Sequence, residues 1–182
     1  MLPDTLPIRE GWVKKEDMLD ISGRGRYRQM QLAEEFGIKT YQNPGGGCLL
    51  TDKSFSERLA DLMKFEMLKI RFLDFLKTGR HFRISPSAKL IIGRNEIENN
   101  ILSNLVSTET VLRIPEIPGP LGVINSLHNL TENEIKLAGS ILLRYANRAS
   151  DKMPVRYGNL GNLHKQIICT KMEASQTEKY LI

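Results

Sequence analysis

The stretch "RHFRISPSAKLIIGRN", Arg80 to Asn95, decides how the chain folds. Apolar and polar residues alternate through His81–Ser85, which is the period of a β-strand, and "AKLIIG" (88–93) reads as a second short strand. Ser85, Pro86 and Ser87 supply turn chemistry between the two runs, so together they read as a hairpin. Side chains alternate across a strand. With Phe82, Ile84, Leu90 and Ile92 facing a core, His81, Arg83 and Lys89 must face the other way. The expectation is a hairpin with a basic outer face. Asn95 then stands where a helix cap is needed, ahead of an apolar stripe of Ile97, Ile101, Leu102 and Leu105.

Downstream the pattern continues to alternate. "TVLRI" (110–114) and "LGVINS" (121–126) read as strands around the stiff "PEIPGP" turn. Thr131 and Glu134 have capping-box spacing and open a helix running to about Arg148, with Ile135, Ala138, Ile141, Leu142 and Tyr145 inward. "MPVRYG" and "KQIICTK" read as two last strands, with Cys169 a core residue of the second. Upstream, residues 1–53 are rich in Pro, Gly and charge. "RQMQLAEEFG" reads as a helix stopped by Gly37, and Ser54 with Glu57 forms a capping-box pattern before an amphipathic run of Phe55, Leu59, Leu62 and Met63. The fold class expected is α+β: a mixed or antiparallel sheet with helices packed on one side, preceded by a mainly helical N-terminal arm. The arm is assigned to residues 1–69 and the α+β domain to 70–182.

The composition excludes several classes. With 41% hydrophobic and 26% charged residues, the 182-residue chain is ordinary for a folded domain. Its apolar runs are far too short to cross a bilayer, and "MLPDTLPIREGW" has neither a basic start nor an apolar run, so no signal peptide and no membrane partner are expected. Two cysteines suit a reducing, cytoplasmic setting. The formal net charge of +5 is not spread evenly: residues 70–94 hold six cations and one carboxylate, and the stretches on either side are neutral. That concentration points to a polyanion such as nucleic acid.

Self-contained catalytic chemistry is missing from the pattern. There is no GxxxxGK[ST] phosphate loop and no GxGxxG between a strand and a helix, so neither an ATP site nor a methyltransferase cofactor site is expected, and no cofactor at all. Cys48, His81, His128, His164 and Cys169 lack metal-ligand spacing, so no metal site is expected. Two features remain. In "NPGGGCLLTDKSF" (43–55), Cys48 follows a triple glycine and precedes a helix start, where a helix dipole can stabilise a thiolate. The residues alone leave Cys48 open as a reactive thiol or a buried structural one. The second feature is the basic set Lys77, Arg80, His81, Arg83, Lys89 and Arg94, joined by Arg24, Arg26 and Arg28 in "SGRGRYRQ". Guanidinium groups bind phosphate bidentately, which suits a nucleic-acid backbone better than base reading.

These residues resemble the RNA-binding domain of the NFACT proteins. "KLIIGRNEIENNIL" is similar to that domain's strand, its Gly-Arg-Asn and a helix with a second Asn four places on (Asn95 and Asn99). "IPGPLGVI" resembles its Pro-Gly turn and following strand, and "LAGSILLRYANRASDKMPVRYGNLGNLHK" its helix ending in Tyr and basic residues. The resemblance covers about 78–172. The family's usual "WLH" and "GSHV" are replaced here by "TVLRI" and "GPLGV", so contacts of that serine and histidine do not carry over to Pro120 and Leu121. Residues 6–83, including "GGCLLTD", resemble the region after the PP-loop ATPase domain in tRNA 2-thiouridylase-like proteins, some of which are described as methyltransferase-like. The PP-loop signature itself is absent. The resemblance implies a module that binds RNA, tRNA in particular, and works with a separate PP-loop ATPase or sulfur-donor protein in tRNA thiolation. Under it Arg80, Arg83, Lys89, Arg94 and Asn95 lie at the RNA, helped by Lys77, His81, Arg24, Arg26 and Arg28. Two alternatives accompany this reading: a sulfurtransferase subunit in which Cys48 carries sulfur, and a ribosome-linked protein-interaction module.

Overall fold

A computed structural model describes residues 3–19, 21, 23, 25–40 and 48–182. The chain divides into two compact units, Met1–Gly45 and Gly46–Ile182. The first holds two helices, α1 (Leu6–Arg9) and α2 (Tyr27–Glu35), neither of which buries a residue. It is a helical arm, stopped after α2 by Gly37 with positive φ.

The second unit opens with α3 (Lys53–Lys64). Its cap is Asp52, whose carboxylate accepts the Phe55 amide at 2.7 Å, and not Ser54 as the spacing suggested. An anionic cap satisfies an orphan amide and also opposes the helix dipole, so Asp wins over the nearby serine. α3 buries Arg58 and Leu62 and leaves Met63 exposed. Leu62 joins Met67, Phe72 and Leu76 in a small core together with α4 (Ile70–Leu73) and the 3₁₀ turn Asp74–Lys77. The residues before 70 thus pack with the sheet unit from α3 onward.

Six strands follow: β1 (Arg80–Ser85), β2 (Ala88–Ile92), β3 (Thr110–Arg113), β4 (Gly122–Ser126), β5 (Lys152–Asn159) and β6 (Asn162–Thr170). Helix α5 (Glu96–Leu105) lies between β2 and β3, α6 (Glu132–Arg144) between β4 and β5, and the short α7 (Ala174–Thr177) comes last. All pairings are antiparallel, in the order β1-β2-β4-β3-β5-β6. The fold is α+β, as the alternating pattern predicts.

The helices cover both faces. Leu90, Ile92, Leu112 and Ile124 pack under Ala138, Ile141 and Leu142 of α6. Their alternate neighbours Ile91, Val111 and Val123 pack with Leu102 of α5 and Phe75. β2 is consequently buried at all five positions, the state of a strand covered from both sides. The expected Thr131–Glu134 capping box forms, and Asn95 caps α5 by accepting the Glu98 amide at 2.9 Å. Ile97 and Ile101, expected in the stripe of α5, are exposed. At the outer edge of β1, Leu181 bridges Phe82 and the Ile182 amide donates to the His81 carbonyl at 3.0 Å.

Candidate nucleic-acid interface

The outer face of the β1–β2 hairpin is not a surface. His81 and Lys89 are wholly buried, and Arg83 is nearly so, because α3 and the 67–77 segment lie over them. Asp61 of α3 takes both cations: Arg83 donates through Nε to Oδ1 at 3.2 Å and through Nη2 to Oδ2, and Lys89 Nζ stands 3.3 Å from that same Oδ2. Burial lowers the Lys89 amine to about 8, against the pull of Asp61. His81 Nε2 donates to the Thr78 carbonyl at 2.8 Å, and burial, then the charges of Lys89 and Arg58, hold the ring well below its usual value and neutral. The assignment of His81, Arg83 and Lys89 to RNA contact is corrected accordingly. They form an internal polar joint that fastens α3 to the sheet, since a buried cation persists only beside a counter-charge.

A different set of arginines does meet at the surface. At one end of the sheet, β1 begins beside the end of β2 (Arg80 opposite Ile92), and β4 begins opposite both Ile92 and Leu112. That end opens into a groove of about 800 Å³ lined by Arg80, Arg94, Arg113 and Arg144, with Asn95, Asn99, Asn147 and Tyr145 and the 117–120 turn. Glu96 is the single carboxylate in its wall.

Two of the arginines are held by neighbouring groups. The Arg80 guanidinium lies 4.7 Å from the centre of the Tyr145 ring, which in turn packs 5.6 Å from Phe82. Stacking of this kind fixes the plane of the guanidinium and leaves its N–H edge available. Arg94 donates from Nη2 to the Gly79 carbonyl at 2.9 Å and stands 3.7 Å from Glu98. The same carbonyl accepts from Arg58 Nη2 at 3.1 Å, so the buried joint and the groove share an anchor. Arg80, Arg113 and Arg144 are in no ion pair among the described residues.

The Gly-Arg-Asn signature serves the groove's frame. Asn99 Oδ1 accepts the Leu121 amide at 2.9 Å, and the Gly93 amide donates to the Leu121 carbonyl at 3.1 Å. A Cβ on residue 93 would lie 2.1 Å from Asn99 Oδ1, so only glycine lets that side chain reach the Pro-Gly turn. Asn95 lines the groove as the α5 cap.

Of the ten residues expected at RNA, Arg80, Arg94 and Asn95 therefore come together. Lys77 is exposed, away from the groove, and paired with Asp74 at 2.9 Å. Arg28 pairs with Glu35 at 3.4 Å within the arm, where Arg26 also lies, and Arg24 falls outside the described residues. Arg113, Arg144 and Tyr145 were missed as site residues. Their only signal is that each sits at the end of an element, and a charge tally along the chain cannot join three remote ends. Cys48 is exposed at the head of a 3₁₀ turn, Leu49–Thr51, with Thr51 Oγ1 donating to its carbonyl at 2.7 Å. Gly45, Gly46 and Gly47 lie outside the described residues. Cys169 is buried, which pushes its thiol up to about 11. Among the described residues no group of His, Cys, Asp or Glu could hold a metal, and no helix is long and apolar enough to cross a membrane.

The sequence profile of the NFACT protein RNA-binding domain matches residues 79–181, which is more than half of the chain and includes the whole sheet and the groove. The chain belongs to the NFACT RNA-binding family. An RNA-binding role follows for this NFACT domain at that level of description. No curated protein is significantly similar to it. Among solved structures it is similar to the C-terminal part of the fibronectin/fibrinogen-binding protein from Streptococcus suis, with a TM-score of 0.51 and 16% identity. That match covers 69% of this chain and 59% of the other, and at such identity it speaks to the fold alone.

Proposed function

We propose that the arginine groove binds the phosphate backbone of RNA, and that the RNA presented there is tRNA. One observation carries the proposal: four arginines surround a polar groove with a single carboxylate, and three of them are in no ion pair among the described residues. Guanidinium groups in no ion pair bind phosphate without first breaking an internal salt bridge. Asn147 and Asn95 add amide and backbone polarity at the rim, which orients a strand without demanding a base sequence.

The test is fluorescence anisotropy of the full chain with labelled tRNA across a salt series. Releasing counterions from about four phosphates predicts a log–log slope near −3. Arg144→Gln should weaken binding roughly fivefold and make the slope shallower by about 0.7 to 0.9. A flat salt response, or an Arg144→Gln variant that binds like wild type, refutes the electrostatic grip.

The link to tRNA thiolation, with a separate PP-loop ATPase, rests on the resemblance of residues 6–83 and is part of the proposal. One structural observation favours a second reading, sulfur carriage: Cys48 is exposed. Its thiolate would take the outer sulfur of a donor persulfide and release the donor's thiol. Incubation with a persulfide donor followed by mass spectrometry checks this, and an unmodified Cys48 under conditions that modify a free thiol rules it out.

A further inference from the structure

Beyond the groove, the structure joins one of its arginines to a second that nothing yet assigns. Arg113, in the groove wall at the end of β3, is the register partner of Arg156 on β5. Directly opposed residues of antiparallel strands project to the same face with Cβ atoms about 5 Å apart, and like charges so placed repel. Neither arginine is in an ion pair among the described residues, and both are exposed. The fold retains this repulsion without relieving it internally. Arg156 is in turn the register partner of Gln166 on β6, so Arg113, Arg156 and Gln166 form one exposed row across three strands. A second hollow, lined by Arg113, Arg156, Pro115, Leu160 and Leu163, adjoins the groove through Arg113 and Ile114. Strands β5 and β6 carry no carboxylate.

We infer that Arg113 and Arg156 clamp one phosphate of an RNA strand that leaves the groove and continues onto the open face of the β5–β6 hairpin. A phosphate between the two guanidinium groups converts their repulsion into two charge-assisted contacts, with the Gln166 amide next in line. From β1 to β5 the end of the sheet spans four strand spacings, roughly 19 Å, so the track is longer than a single phosphate contact and suits a run of one backbone. The inference rests on the groove reading and extends it.

The experiment compares the full-length wild type with Arg144→Gln, Arg156→Gln and Lys152→Gln, using a labelled single-stranded RNA of about a dozen nucleotides over a salt series. Lys152 is exposed at the start of β5 and lines neither the groove nor the second hollow, so it controls for loss of charge alone. Arg156→Gln is expected to weaken binding about fivefold and to make the salt slope shallower by about 0.7, while Lys152→Gln binds like wild type. If Arg144→Gln weakens binding and Arg156→Gln does not, the clamp is overturned and the groove stands. If Lys152→Gln loses as much as Arg156→Gln, the effect is general charge and the clamp is again overturned. If neither arginine variant differs from wild type, or the wild type does not bind, both readings fall. Unchanged melting temperatures for the three variants, all at exposed positions, exclude loss of fold as the cause.

Discussion

Replacing Asp61 with asparagine keeps the shape of the joint beneath the hairpin and removes the carboxylate that takes both cations. Arg83 and Asp61 retain 12% and 11% side-chain exposure and Lys89 retains 1%, so water cannot replace the lost counter-charge. Breaking a buried pair from one side costs about 3–5 kcal/mol. The lower end applies here, because Lys89 titrates at about 8 even beside Asp61 and can shed its proton cheaply once the carboxylate is gone. A loss of about 3 kcal/mol in a unit of this size lowers the melting temperature by roughly 10 °C. The same geometry fixes a pH dependence. With the folded amine at about 8 and the ordinary value at 10.5, the unfolded chain holds more protons between those values, so stability rises with pH across that window. The rise amounts to about 3 kcal/mol. Below it the full cost of burying the charged amine is present. Lys89→Met, which fills similar space without charge, should abolish the rise. Denaturant melts of wild type and both variants from pH 7 to 10.5 measure this. An Asp61→Asn protein melting within about 2 °C of wild type, or a Lys89→Met protein with the same pH profile as wild type, would show that the joint is not what holds α3 to the sheet.

Gly93→Ala forces a methyl group onto Asn99 Oδ1 and so releases the Leu121 amide; a loss of about 2 kcal/mol is expected, with weaker RNA binding from a displaced Pro-Gly turn. Urea melts and anisotropy measured on the same preparation would follow the two effects together. The two thiols should also separate cleanly. Maleimide at pH 7.5 is expected to give one adduct, on Cys48, while Cys169 reacts only after denaturation because burial keeps its thiol protonated to about pH 11. Intact-mass spectrometry counts the adducts.

Much of the architecture is legible in local pattern. The Ser85–Ser87 turn, the Thr131–Glu134 capping box, the Asn95 cap and the period-two runs are decided by residues within a few positions of one another, and each formed as its spacing predicts. Strand alternation correctly set His81, Arg83 and Lys89 on the side opposite Phe82 and Leu90. It could not say what lies on that side. Whether that face meets water or α3 depends on Asp61, which is 22 residues from Arg83, and on apolar residues of the 62–76 segment that cover the hairpin.

Local sequence thus determined the elements and, within the strands, the side to which each residue points, because those depend on backbone sterics and short-range hydrogen bonds. Tertiary packing alone decided which cations are neutralised and which stay exposed. Arg83 and Lys89, neighbours in a basic run, end on one carboxylate, whereas Arg80, Arg113, Arg144 and Arg156, far apart along the chain, are gathered at one end of the sheet. Charge acts through space, and only the pairing of antiparallel strands brings those ends together.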